Sequence, residues 1–408
     1  MAVAHWGNVY YQDRFAGTLR QEPGGRCSFA YDDDYVDADG PAIAHTLPLE
    51  ITTHYTEGGL PPFFDNLVAE GWLRNAQARA LGVHPDDRLA LLLSFGRDCA
   101  GAVSVVDPEP RDDLELDPSD QQTFAALAGR ASLSGIQPKL TVVQTPQGFR
   151  PTGSNELGTH IAKLPSGELP DIIEMEWLTT QAARTLLPEE PIADTQIAAL
   201  GNIAGEALIV RRFDRTQDGK KLHFEEFNQL LGNLSAAKYE GSYENMAQFI
   251  LKTPNCIPAE AERLFRRILV RLLLGDTDAH LKNFAMFHTN DGLRLAPSYD
   301  FVAGSFYGQF DTIALAIGGA ANVRIGELKP KHIIGLGEGF SLSSAAMRLA
   351  VGDLEKRRDS AATAIAEAGF GRARLRDGII NIMEKRWNGS FASIGRLSSK
   401  KRAGVGRR

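Results

Sequence analysis

The sequence predicts an α+β protein made of more than one folding unit, and three observations carry that expectation. The chain has 408 residues, beyond the roughly 250–300 residues at which a single hydrophobic core stops growing. Its first half alternates short β-patterned runs with helical ones, whereas helical periodicity dominates its second half. Residues 106–120, VDPEPRDDLELDPSD, hold seven acids and three prolines with neither period, the composition of a solvated connection and hence of a domain boundary.

Each element can be read in order. Alternation in Val3–Tyr11, Ala16–Leu19 and Cys27–Val36 predicts short strands divided by Gly- and Asp-rich turns. After the prolines at 61 and 62, apolar Phe63, Phe64, Leu67, Trp72 and Leu73 predict a helix, and a second follows over Asp86–Phe95 before a strand at Ala102–Val106. Beyond the connection come a short helix, Gln121–Ala128, a polar loop around Ser132, Ser134 and Gly135, and a strand from Lys139. Such a loop can cradle phosphate oxygens through its backbone N–H groups, although it matches neither GxGxxG nor the Walker pattern and read alone is an ordinary turn. Lys163 sits in a strand-like THIAKLP run, where a lysine is either a solvated edge residue or a phosphate counter-charge. A helix over 172–187 carries Glu176 on its apolar face, available to orient Lys163. Strands at Thr195–Ala199 and Ala207–Val210 lead to Arg211–Arg215, and Glu225–Gly232 reads as the crossing into a helical lobe.

Bulk properties narrow the function. An apolar fraction of 43% with 23% charged residues is that of a globular protein, and a net charge of −7 argues against non-specific coating of nucleic acid or anionic membrane. Cys27, Cys99 and Cys256 are scattered and odd in number, so neither a disulfide framework nor a zinc site is expected. No apolar run reaches the length of a membrane span and the start lacks a signal-peptide core, so a cytoplasmic protein without membrane association is expected.

The densest chemistry lies in Leu273–Asp300, LLGDTDAHLKNFAMFHTNDGLRLAPSYD. It follows the strongest helical pattern in the chain, Ala259–Leu274, whose Arg263, Arg266, Arg267 and Arg271 read as a solvated face. Asp278 and Asn283 form DxxxxN, a spacing expected about once by chance in a chain of this length. The hairpin signal at Asn290–Gly292 can return Asp300 beside them. Phosphoryl transfer needs one carboxylate to orient the acceptor hydroxyl and oxygen ligands for Mg²⁺ on the nucleotide phosphates. Asp278 suits the first role, Asn283 and Asp300 the second. A carboxylate ordinarily titrates near ~4, so Asp278 would act mainly by orientation and take the proton late. Lys282 can counter charge on the moving phosphoryl group, and His280 reads as a donor that fixes the loop.

The set SLSGIQPKL, THIAKLP, RRFDR, GDTDAHLKNF and PSYD resembles the HipA family of bacterial serine/threonine kinases, the toxins of HipBA toxin–antitoxin modules. LPPFFDNLVAEGW at 60–72 extends the resemblance to the amino-terminal domain. The resemblance implies a bilobal protein-kinase-like fold with a small mixed α/β lobe, a mainly helical carboxy-terminal lobe and an additional amino-terminal α/β domain. It divides the chain at 1–106, 107–224 and 225–408. ATP and Mg²⁺ are its implied cofactors, in a cleft between lobes. Asp278 resembles the catalytic aspartate, Asn283 and Asp300 the magnesium ligands, and Lys163 the ATP-phosphate lysine. Ser134, Gly135, Ile136, Gln137 and Pro138 correspond to the nucleotide loop, and Glu225, Glu226 and Phe227 to the adenine-contacting connection. His280 and Tyr299 join the nucleotide-contacting set.

Ser132 matches a serine that some members autophosphorylate, and Ser134 is a second candidate in the same loop. A phosphate there would add roughly −1.5 to −2 charges where ATP phosphates must sit, switching the enzyme off. The resemblance further implies an aminoacyl-tRNA synthetase as substrate, growth arrest or persistence as outcome, and a HipB-like helix-turn-helix antitoxin as partner. DNA would be reached mainly through that partner. The basic residues after Trp387 (Arg396, Lys400, Lys401, Arg402, Arg407 and Arg408) read as a solubilising tail. A small-molecule phosphotransferase, or a non-catalytic corepressor indifferent to loss of Asp278, are the readings of other classes.

Overall fold

The structure, a computed structural model, describes residues 5–109, 120–133, 137–154, 156–201 and 203–394. The chain separates into two compact units, one of residues 1–167 and 194–238, the other of 168–193 and 239–408.

The first unit opens with a five-stranded antiparallel sheet in the order Thr53–Thr56, Cys27–Tyr31, Arg14–Gln21, His5–Tyr11, Val103–Val106. Cys27, Phe29 and Tyr31 alternate inward with the period of two that sequence patterning requires. Helices Pro62–Leu67, Gly71–Leu81 and Arg88–Phe95 accompany this sheet, and its core gathers Val9, Leu19, Phe29, Phe64 and Leu92. Two local expectations fail here for identifiable reasons. The strand from Cys27 ends at Tyr31 because Asp32 caps a short helix, Asp33–Asp37, accepting from the Tyr35 N–H at 3.3 Å. The helical run after Pro62 breaks at Val68, whose extended backbone separates two helices, the second starting at Gly71.

The same unit contains a closed five-stranded barrel in the order Ile203–Arg211, His160–Lys163, Lys139–Thr145, Gly148–Pro151, Thr195–Leu200. Leu140, Val142, Phe149, Ala162, Leu200, Ala207 and Ile209 fill it, joined by Ala69 and Leu73 from the amino-terminal part. Asp120 starts the helix Gln121–Ala128 by accepting from the Thr123 N–H at 3.0 Å. A buried ion cluster ties sheet to barrel: Arg212 and Arg215 both donate to Asp98, at 2.8 and 2.6 Å, and both to Asp214. Asp98 also accepts from the Gly158 N–H, and Asp214 from the Gly101 N–H, each at 2.9 Å. Burial alone would raise the Asp214 pKa, but the two arginines and the Gly101 N–H outweigh it and hold the carboxylate down at about 2.

The second unit is mainly helical, with Ile172–Leu186, Tyr243–Lys252, Ala259–Leu273, Pro330–Gly339, Ser344–Ala366 and Ala373–Arg386 around one hairpin, Ala285–Thr289 with Gly292–Leu295. Ile172–Leu186 lies between barrel strands in the chain yet belongs here. It packs along Ser344–Ala366, and Trp177 meets Phe370 edge-on at 5.5 Å. Helix Ala259–Leu273 is the central element: Leu264, Phe265, Ile268, Leu269 and Leu272 are buried at helical spacing, as patterning predicts. Its arginines depart from the solvated face expected of them. Arg267 and Arg271 are buried, Arg267 against Glu190 and the Ala296 carbonyl, so two of the four charges serve the interior. Among the described residues no helix is long and apolar enough to cross a membrane.

Candidate active site

The site in the second unit begins where helix Ala259–Leu273 ends. Gly275 takes the left-handed conformation, φ +77°, that stops a helix, and a side chain there would strike Ser305 and Ile382. The chain then turns through Asp276, Thr277 and Asp278 into the hairpin.

Arg271, on the last turn of the helix, organises this loop from below. It donates to the Asp276 carboxylate at 2.5 Å and to the backbone carbonyls of Tyr299, Asp300 and Asn283 at 2.5, 2.9 and 3.3 Å. Its guanidinium is sandwiched by Phe284 and Phe301, whose ring centroids lie 5.0 and 4.3 Å away. One buried cation therefore ties together the two ends of the segment that the sequence singled out. Asp276 passes the order on, accepting from the Asp278 N–H at 3.1 Å. Burial pushes the Asp276 carboxyl up to about 7, against the pull of Arg271.

Upon this base the expected residues converge. Asn283 Nδ2 donates to Asp300 Oδ2 at 2.6 Å, and Asn283 Oδ1 accepts from the His280 N–H at 3.1 Å. His280 Nδ1 accepts from the Lys282 N–H at 3.3 Å, so its side chain fixes the loop as an acceptor and not as the donor expected of it. The Tyr299 hydroxyl donates to the Lys282 carbonyl at 2.6 Å. Asp300 holds a positive φ of 61°, a strained backbone for an aspartate, tolerated where neighbouring contacts over-determine it. His280, Lys282 and Asn283 are buried; Asp278 alone in the run from Arg271 to Asn283 is exposed. Its Oδ1 accepts from the Tyr239 hydroxyl at 2.8 Å.

This donor set fits a hard divalent cation. The Asn283 side chain, through its Nδ2, already touches the Asp300 carboxylate, so a carboxylate and an amide that can turn its oxygen to a cation stand together, and oxygen ligands are what Mg²⁺ demands. Of the remaining sequence-derived residues, Lys163 is buried in its barrel strand, in register with Lys139 on one side and Leu208 on the other. Gln137 Nε2 donates to the Leu164 carbonyl at 2.9 Å, and the Leu164 N–H donates to the Pro138 carbonyl at 2.8 Å. The nucleotide-loop candidates Gln137 and Pro138 are thus fastened to the lysine strand, while Ser134, Gly135 and Ile136 lie outside the described residues, as does the basic tail. Ser132 is buried, and its hydroxyl donates to the Leu67 carbonyl at 2.6 Å. Glu225 is fully buried with Oε1 accepting from the His45 N–H at 2.7 Å, and Phe227 starts a short helix.

Arg271 and Tyr239 make contacts in the site that sequence reasoning missed, and Asp276, within the segment it singled out, had no role assigned. For Arg271 the available signal was its place on the apolar side of the helix register, five residues before Asp276. For Tyr239 no sequence signal exists, since 39 residues separate it from Asp278.

An exposed carboxylate in the same segment as a braced Asn–Asp pair is an arrangement that phosphoryl transfer can use, and the family of the chain points the same way. Residues 131–368 match the HipA-like C-terminal domain and residues 7–106 the HipA N-terminal domain. The chain belongs to the HipA family of kinases. It is 27% identical over 323 residues to the serine/threonine-protein kinase toxin HipA of Shewanella oneidensis, covering 70% of this chain and 72% of that one. It is 30% identical over 309 residues to Y4dM of Sinorhizobium fredii, a protein named as a kinase, covering 70% and 74%. Among solved structures, the Shewanella oneidensis HipA, HipB and operator DNA complex matches with a TM-score of 0.78 over 96% of this chain and 99% of that chain. At 20% identity that match shows the fold.

Proposed function

We propose that this chain is a serine/threonine protein kinase toxin that uses Mg-ATP, phosphorylates an aminoacyl-tRNA synthetase and thereby arrests growth. The observation that carries the chemistry is the exposed Asp278, its backbone N–H held by Asp276 and so by buried Arg271, which also binds the backbone of Asn283 and Asp300. In the proposed reaction the acceptor hydroxyl donates to Asp278, which orients its oxygen toward the γ-phosphorus. A bond forms from that oxygen to phosphorus, the bond from phosphorus to the ADP oxygen breaks, and the acceptor proton leaves late through Asp278 to solvent. Bound Mg²⁺, held by Asn283 and Asp300, would supply charge neutralisation on the nucleotide phosphates. Lys282 would counter charge on the transferring group. Lys163 and the 134–138 loop would grip the phosphates, with Glu225–Phe227, His280 and Tyr299 contributing nucleotide contacts.

Autophosphorylation at Ser132 or Ser134 is the proposed off-switch. The Ser132 hydroxyl is engaged with the Leu67 carbonyl, so phosphorylation at this position requires the segment to leave its seat. The Shewanella complex supports a HipB-like antitoxin as partner, with DNA contacted mainly through it. The division into an amino-terminal domain to 106, a lobe over 107–224 and a helical lobe from 225 is part of the same reading. Labelled ATP in a bacterial lysate tests it: wild type is expected to label at least one protein that Asp278→Ala leaves unlabelled, and mass spectrometry then names the acceptor. Identical labelling patterns would defeat the assignment.

A further inference from the structure

We infer that Tyr239 is a positioning residue that gates Asp278: without an acceptor its hydroxyl occupies the carboxylate, suppressing wasteful transfer of phosphate to water. The inference rests on the proposed kinase reading and names a regulation of the same site.

The hydroxyl of Tyr239 stands 2.8 Å from Asp278 Oδ1. A hydroxyl donating to this oxygen is what an acceptor serine or threonine must present, so the phenol occupies the acceptor's place. The contact is built rather than incidental. The Tyr239 ring packs edge-on against His280, with centroids 5.0 Å apart and planes at 86°. Just beyond, the backbone is anchored: Gly241 O accepts from the Ala316 N–H and the Tyr243 N–H donates to Ala316 O, each at 3.1 Å. Ser242 and Asn245 close a capping box at the start of helix Tyr243–Lys252. A fixed backbone therefore carries a side chain that is 44% exposed, within reach of an arriving acceptor. A hydrogen bond between two solvent-exposed groups has a small net strength, so an arriving acceptor can displace it, whereas a single water gains little by doing so.

The suppressed side reaction balances simply. Water oxygen bonds to the γ-phosphorus, the bond to the ADP oxygen breaks, and the water proton passes through Asp278 to solvent, giving ADP and phosphate. With the phenol in place, one acceptor position of Asp278 Oδ1 is already filled, and a water must compete with it for the geometry that an acceptor hydroxyl would take.

Tyr239→Phe keeps the ring against His280 and removes only the hydroxyl. Loss of one hydrogen bond of ordinary strength is expected to raise acceptor-free ATP hydrolysis about 2- to 10-fold. The KM for ATP and the melting temperature should stay at wild-type values, and protein phosphorylation should be retained. Tyr239→Ala should raise hydrolysis similarly, since it also frees the carboxylate. Unchanged hydrolysis in Tyr239→Phe, measured against a wild type whose hydrolysis depends on Asp278, overturns the gate and leaves the kinase reading standing. A rise matched by an equal change in the KM for ATP overturns it too, as a disturbance of nucleotide binding. If Asp278→Ala hydrolyses ATP as wild type does, the kinase reading falls and the gate with it.

Discussion

Two clusters of buried arginine and aspartate, one in each unit, are built in different ways. In the first unit Arg212, Arg215, Asp98 and Asp214 form a closed set, every side chain at most 5% exposed and each charge answered by another. In the second, Arg271 and Asp276 are equally buried, at 2% and 1%, but the network continues through the Asp278 N–H to a carboxylate that faces solvent. Identical residue types thus make a sealed scaffold in one unit and, on the proposed reading, a reactive centre in the other, where one carboxylate is held at the surface. Preorganisation of that kind is what a phosphotransferase asks of a protein, since most of its catalysis is positioning.

The comparison can be sharpened by substitution. Asp278→Ala removes an exposed side chain, so stability should hold while phosphotransfer falls by about 10²- to 10⁴-fold, the usual range for a lost acid–base group, read with labelled ATP. Arg271→Ala strips the buried partner of Asp276 and orphans backbone carbonyls at once. Denaturant unfolding should show a loss of about 3–5 kcal/mol, with activity lost alongside. Asp214→Asn should cost about 3–5 kcal/mol, because the amide removes the charge facing two buried arginines and turns an NH2 donor toward donors that Asp214 now receives.

Its pH signature distinguishes this last effect. Asp214 has its folded-state pKa lowered from 3.8 to about 2, so its contribution is fully present above the unfolded value and disappears as pH falls through the folded one. Wild type should therefore lose stability between pH 4 and pH 2 in a way that Asp214→Asn does not share, measured by unfolding across that window. Least affected should be Glu262→Gln, which breaks the partly exposed pair with Arg266 at 3.3 Å and should change stability by only about 0.3–0.5 kcal/mol, an effect that salt erases.

Much of this was legible in the residues. Helix Ala259–Leu273 and the hairpin after Ala285 follow from period and turn chemistry, because both are local properties of the chain. Asp278, Asn283 and Asp300 were legible for the same reason: a loop and a tight hairpin bring them together within 23 residues of sequence. The role of Arg212–Arg215 was not, since its partners Asp98 and Gly101 lie more than 100 residues away. Arg271 was misread because an arginine in a helix is ordinarily solvated, and only the fold shows four acceptors converging on one guanidinium. The break at Val68 and the early end of the strand at Tyr31 depended on local capping that alternation alone does not reveal.

The central claim is that the cluster in the second unit performs chemistry while the one in the first only supports it. Transfer of label from ATP, measured per folded molecule for wild type, Asp278→Ala and Asp214→Asn, tests it most directly. Wild type and Asp214→Asn should transfer at comparable rates with Asp278→Ala slower by about 10²- to 10⁴-fold; transfer undiminished by loss of Asp278 would contradict the account.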